Sequence, residues 1–232
     1  MSRSTKYESV SNHVESLGSV VPVQLAEDTT KALFKLNEAL GGDVSGYVAN
    51  RLHMNISELC DALAAEQVDG VALAMYNIEK RAQSVVIGDQ TGIGKGRQAA
   101  AMIRYGLLSG YLPIFFTERY TLFSDMYRDC KALGIKDARP LVVNAGVSVV
   151  DFDNIIDNRE TSTSDEIWSP IDEEEDNIES EPELMQLYQN QYEIVYKAPK
   201  KKILQEIISS GDIPLDAYDY LMVTYSQLKD AK

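Results

Sequence analysis

The sequence predicts an α/β protein in which a helical amino-terminal region precedes a parallel sheet. Three observations carry that prediction. Apolar residues recur at helical spacing through most of the first eighty positions. Short apolar runs then alternate with helical segments. A glycine-rich loop, Gly88 to Arg97, joins a β-branched run to a helix.

In Thr29 to Leu40, Leu33, Leu36 and Leu40 share one helical face, and Gly41-Gly42 supplies the left-handed residues that end such a helix. Ser57 to Ala65 and Glu66 to Lys80 read the same way. In the second of these Val68, Val71, Ala72, Met75 and Ile78 line one side, with Lys80-Arg81 at the end where cations suit the helix dipole. From Ser84 the pattern changes: Ser84 to Ile87 is expected as a strand, Gln98 to Leu108 as a helix, Pro113 to Thr117 as a strand, Thr121 to Leu133 as a helix and Leu141 to Asn144 as a strand. Lys202 to Ser209 reads as a helix and Tyr220 to Thr224 as a further buried strand. Strands separated by helices rather than hairpin turns imply parallel pairing.

The formal net charge is −14, and it is local: Asp151 to Leu187 holds fourteen Asp and Glu against the single basic Arg159, which accounts for −13 of it. Asp153 to Glu183 offers too little apolar surface to offset the entropy of ordering and is expected to be a disordered insertion. Trp168 and Ile171 within it read either as a partner anchor or as incidental. Cys60 and Cys130, without CxxC spacing and with only His13 and His53 beside them in composition, give no basis for a zinc site and are expected as small buried hydrophobes. No apolar run has the length of a membrane span and the amino terminus has no apolar signal core, so a cytoplasmic location without membrane association is expected.

The segment GDQTGIGKGR is a P-loop. Gly92, Gly94 and Gly96 let backbone N–H groups approach phosphate oxygens, the following helix N-terminus adds partial positive charge, and Lys95 supplies a mobile ammonium for the outer phosphates. A nucleoside triphosphate with Mg2+ is therefore the expected ligand pair. The residue after the lysine is usually Ser or Thr, whose hydroxyl ligates magnesium; here it is Gly96, leaving Thr91, or water held by a carboxylate elsewhere, to stand in. Arg97 reads either as a phosphate contact or as an electrostatic cap of the loop.

With GKGR in the loop, AEQVDGVALAMYNIEK from Ala65 to Lys80, FFTERYTLFSDMYRDC from Phe115 to Cys130 and YDYLMVTYSQL from Tyr218 to Leu228, the sequence resembles the strawberry notch type of superfamily 2 helicase-like ATPases, including bacterial and phage members. That resemblance implies a partial RecA-like P-loop NTPase domain over 65–232, interrupted by the acidic insertion, with 1–64 as a helical region before it. It implies that the triphosphate is ATP, that Gln67 reads the adenine, and that Thr117 and Thr224 contact a single- or double-stranded DNA backbone at strand ends. Lys200 to Lys202 read either as further backbone contacts or as a solvated patch.

A DExH-type carboxylate, which hydrolysis requires, is not evident. Asp151 after VSVV is the one candidate, and it stands in the wrong place in the chain order for this family. The expectation is the ATP-binding amino-terminal part of a longer DNA-dependent motor, in the host cytoplasm if phage-encoded, partnered by nucleic acid and the remainder of the motor. The alternative is a truncated family member serving as a nucleotide-dependent binding or regulatory module.

Overall fold

The computed structural model describes residues 4–88, 92–156 and 181–229. The chain is α/β and forms two compact units, Met1–Leu112 with Asp129–Lys136, and Pro113–Arg128 with Asp137–Lys232.

The first unit opens with two short antiparallel strands, β1 (Ser4–Lys6) and β2 (Val20–Pro22), followed by α1 (Val23–Ala39), α2 (Val44–Arg51), α3 (Ile56–Ala62), α4 (Ala65–Arg81) and α5 (Lys95–Leu108). α1 begins six residues before the expected Thr29, directly after Pro22, and buries Leu33 and Leu36; Gly41 and Gly42 at φ 67 and 87 stop it as expected. α2 is started by the Asp43 side chain accepting from Gly46 N–H at 2.8 Å. α3 is started by a reciprocal pair, Glu58 N–H to Asn55 Oδ1 at 3.0 Å and Asn55 N–H to Glu58 Oε2 at 2.8 Å. α4 buries Val68, Val71, Ala72 and Met75, and Ala82 closes it in the left-handed region at φ 51. Gly70 gives the Gln98 side chain room between α4 and α5, since a Cβ there would lie 2.4 Å from Gln98 Oε1.

The second unit contains β3 (Ile114–Thr117), α6 (Leu122–Ala132, its end belonging to the first unit), β4 (Pro140–Val142), β5 (Ser148–Ile155), α7 (Glu181–Gln191), β6 (Tyr192–Lys197), α8 (Lys201–Ser210), β7 (Tyr220–Thr224) and α9 (Tyr225–Lys229). β3, β7 and β4 form a parallel sheet in that order, with Ile114 opposite Leu221 and Thr117 opposite Thr224. β7 is central and all five of its residues are buried, which is why it reads as an unbroken apolar run. β5 and β6 pair antiparallel in a separate two-stranded sheet, where Phe152 meets the edges of Tyr188 and Tyr192 at 5.2 and 5.1 Å between ring centroids.

Ser84 to Ile87 is not a strand. Residues 82–88 enter no ladder and Val86 is 93% exposed; a β-branched run becomes a strand only where a neighbour takes up its N–H and C=O groups. Cys130 is buried, whereas Cys60 is exposed, with its Sγ donating to the His13 carbonyl at 3.0 Å. Of the expected disordered insertion, Asp153 to Ile155 continue β5 and Glu181 opens α7, while 157–180, with Trp168 and Ile171, lie outside the described residues. Among the described residues no helix is long and apolar enough to cross a membrane.

Candidate nucleotide site

The loop is placed by its glycines. Gly92 at φ 89 and Gly94 at φ 77 occupy the left-handed region, where a side chain is strained, and Gly94 is the N-cap of α5, with its carbonyl accepting from Arg97 N–H at 3.0 Å. Lys95 is therefore the first residue of a fourteen-residue helix, with its side chain exposed at the positive end. The helix starts three residues earlier than the expected Gln98, so the lysine sits on the helix rather than in the loop. Thr91 lies outside the described residues.

Gln67 is buried and holds this loop. Its Nε2 donates to the carbonyls of Ile93 at 2.8 Å and Gly94 at 3.3 Å, and its Oε1 accepts from Ala64 N–H at 2.9 Å. A carboxamide nitrogen has two N–H donors, and both of its contacts here are with loop carbonyls. A Cβ on Gly94 would come within 2.4 Å of Gln67 Nε2, so the glycine is also needed for this approach.

The first turn of α4 is fixed by the segment before α1. Glu66 accepts from Ser16 Oγ at 2.7 Å, Leu17 N–H at 3.0 Å, and the Ser19 N–H and hydroxyl at 3.3 and 3.1 Å. Burial pushes its carboxyl up, but these hydrogen bonds outweigh it and hold the group below the usual carboxylate range. Asp69, fully buried, accepts from Tyr7 Oη at 3.0 Å, Val10 N–H at 3.2 Å and Ser11 Oγ at 2.7 Å. For Asp69 burial prevails, and its carboxyl is raised.

The same segment and α1 line a cavity of about 460 Å³ that reaches the loop at Gly88 and Ile93; Tyr7, Val21, Leu25 and Ala32 are also in its lining. Its size is in the range of small-molecule sites.

On the other flank of the loop, Arg97 Nε donates to Asp129 Oδ1 at 3.2 Å and Arg97 Nη1 to the Ala62 carbonyl at 3.0 Å. Gly96 faces the same carboxylate: a Cβ at position 96 would lie 2.1 Å from Asp129 Oδ2. Nothing in the sequence pattern singled out Asp129; the signal was the glycine where a hydroxyl is usual.

In the second unit Thr117 and Thr224 stand side by side at the carboxyl ends of β3 and β7, both buried. Thr224 Oγ1 accepts from Asn144 Nδ2 at 2.7 Å and lies 2.7 Å from Ser226 Oγ, while its N–H donates to Asn144 Oδ1 at 3.2 Å. Thr224, Asn144 and Ser226 line a cleft of about 1260 Å³ together with Lys201, Lys202 and Glu206 of α8; Glu118, just after β3, lines it and Thr117 does not. Asp151 is buried in β5, outside the parallel sheet, where its oxygens accept from Asp153 N–H and Asn154 Nδ2, both at 3.1 Å. It braces its own strand.

A left-handed glycine loop feeding a helix that starts on a lysine, in a chain that also carries a parallel sheet, defines a P-loop nucleotide-binding protein. The family of P-loop containing NTP hydrolases termed pore-1 matches residues 45–165, over half of the chain, and the chain belongs to that family. No curated protein and no solved structure matches it.

Proposed function

We propose that this chain is the ATP-binding amino-terminal part of a DNA-dependent helicase-like ATPase of the strawberry notch type. The observation that carries the reading is the loop: Gly92 and Gly94 in the left-handed region, with Lys95 as the first residue of α5, form an anion site for a triphosphate. The adjoining cavity gives base and ribose a place in the same unit. ATP enters with Mg2+, which neutralises charge on the phosphate oxygens when bound. The chain's own residues orient the nucleotide: Gln67 fixes the two loop carbonyls, so that the loop N–H groups face the phosphates, and Lys95 reaches the outer ones. In this reading the carboxylate that orients the attacking water belongs to the rest of the motor.

The DNA partner is assigned to the cleft at the ends of β4 and β7. Hydroxyl and amide groups from Thr224, Ser226 and Asn144, with the ammonium groups of Lys201 and Lys202, suit phosphates and sugars without reading bases.

Two experiments test these assignments. Filling the cavity from α1 with Ala32→Phe is expected to weaken ATP binding by about tenfold while leaving inorganic tripolyphosphate unaffected, because only the nucleoside loses its place. Equal loss for both ligands would mean that the change disturbed the loop itself. Charge reversal of Lys201 and Lys202 to Glu is expected to lower affinity for a labelled oligodeoxythymidylate by roughly tenfold or more at low salt and to flatten its salt dependence. ATP binding should stay as it was. DNA binding indifferent to the reversal would remove the cleft from the path of the strand.

A further inference from the structure

Position 96 is the second residue of α5, where P-loop proteins carry the hydroxyl that ligates magnesium, and here it has no side chain. The vacant volume is nonetheless filled. The Cβ that a serine would bring lies 2.1 Å from Asp129 Oδ2 and 3.2 Å from Asp129 Cγ, so a carboxylate occupies the space a side chain at 96 would enter. Asp129 is buried, and its other oxygen is held by Arg97, which is itself tied to the Ala62 carbonyl.

The donor chemistry fits the cation. Mg2+ prefers hard oxygen ligands and takes one or two carboxylates together with phosphate oxygens and retained waters, rather than an all-protein cage. Among the described residues no group of three or more His, Cys, Asp or Glu could form such a cage. Electrostatics is compatible with this: Arg97 offsets part of the Asp129 charge, and a divalent cation between the carboxylate and the triphosphate attracts both.

We propose that Asp129 is the protein ligand of the Mg2+ that enters with the nucleotide, replacing the hydroxyl absent at Gly96. The proposal rests on the loop being a triphosphate site. It assigns Gly96 a purpose, to make room for the carboxylate, and Arg97 the role of positioning it.

The test compares affinity for a fluorescent ATP analogue in Mg2+ and in EDTA, using the full chain, with Mn2+ binding to the nucleotide complex read by electron paramagnetic resonance. Wild type is expected to bind the metal complex far more tightly than the free nucleotide. Asp129→Asn keeps an acceptor for Arg97 and removes the charge; it should weaken Mn2+ in the complex by about ten- to a hundredfold and leave metal-free binding unchanged or tighter. Gly96→Ser alone should lose the metal preference through its clash with Asp129, and Gly96→Ser with Asp129→Ala should regain it. Wild-type binding that is the same with and without metal, or an Asp129→Asn protein that keeps the wild-type preference, would overturn the proposal and leave the loop assignment standing. A fall in both affinities together would reduce Asp129 to a brace for Arg97. A wild type that binds no nucleotide in either buffer would overturn the loop assignment itself.

Discussion

Lys95→Ala is expected to lower affinity for ATP by about ten- to a hundredfold, the loss that follows from removing a charge-assisted hydrogen bond of about 1.5–3 kcal/mol. The backbone N–H groups of the loop remain in the variant, so weak binding should persist. The side chain is exposed at the first position of α5, and the left-handed glycines and the Gln67 clamp do not depend on it. The unfolding midpoint should therefore hardly move. Lys95→Arg is not expected to restore full affinity, because a planar fork does not replace a compact ammonium against the outer phosphates. Titration of a fluorescent nucleotide into the three proteins decides the matter, and equal binding by wild type and the Ala variant would sink the phosphate-loop reading.

The second large effect concerns stability. Asp69→Ala leaves Tyr7 Oη, Val10 N–H and Ser11 Oγ without their buried acceptor, at an expected cost of about 3 kcal/mol or more. Because the segment those groups belong to also walls the cavity, ATP affinity should fall with stability. The two buried acids of α4, Glu66 and Asp69, then differ in the sign of their pH dependence. Glu66 has a lowered folded-state value, so its contribution is present above the ordinary 4.5 and is lost as pH falls through the folded value. The stability gap between wild type and Glu66→Gln should accordingly close on acidification below that point. Asp69 has a raised folded-state value, so its contribution is full below the ordinary 3.8 and declines as pH rises through the folded value. The gap to Asp69→Asn should therefore shrink with rising pH. Urea unfolding of Glu66→Gln, Asp69→Asn and wild type across that range measures both slopes, and parallel curves would contradict the assignment of these hydrogen bonds.

Local chemistry was the part legible in the sequence. Glycine at 92 and 94, the lysine that follows, and the period of α4 and α5 announce themselves within a few residues, and β7 was bounded correctly because a fully buried central strand is apolar from end to end. Long-range pairing was not legible. β5 finds its partner β6 more than forty residues on, with Val149 opposite Tyr196, and neither strand alternates cleanly enough to announce a hairpin. Ser84 to Ile87 has the composition of a strand but not the neighbour. At the site, the resemblance implied an adenine contact for Gln67; the structure shows where that residue stands, with its Nε2 on the carbonyls of Ile93 and Gly94, a placement set by the approach of α4 to the loop. Gly96 registered only as a missing hydroxyl, because the carboxylate that fills its place comes from a different helix, thirty-three positions later.

The contact between Gly96 and Asp129 also constrains how such a loop can change. A side chain at 96 has to displace the Asp129 carboxylate from its bond to Arg97, and in the proposed metal site loss of the carboxylate alone leaves position 96 without an oxygen donor. The two arrangements, glycine with aspartate or hydroxyl with a small residue, are thus separated by intermediates that lack either room or ligand. Passage between them requires a paired substitution. A saturation library at position 96 selected for nucleotide binding should enrich glycine while Asp129 is kept, and should enrich serine or threonine once position 129 has been made small.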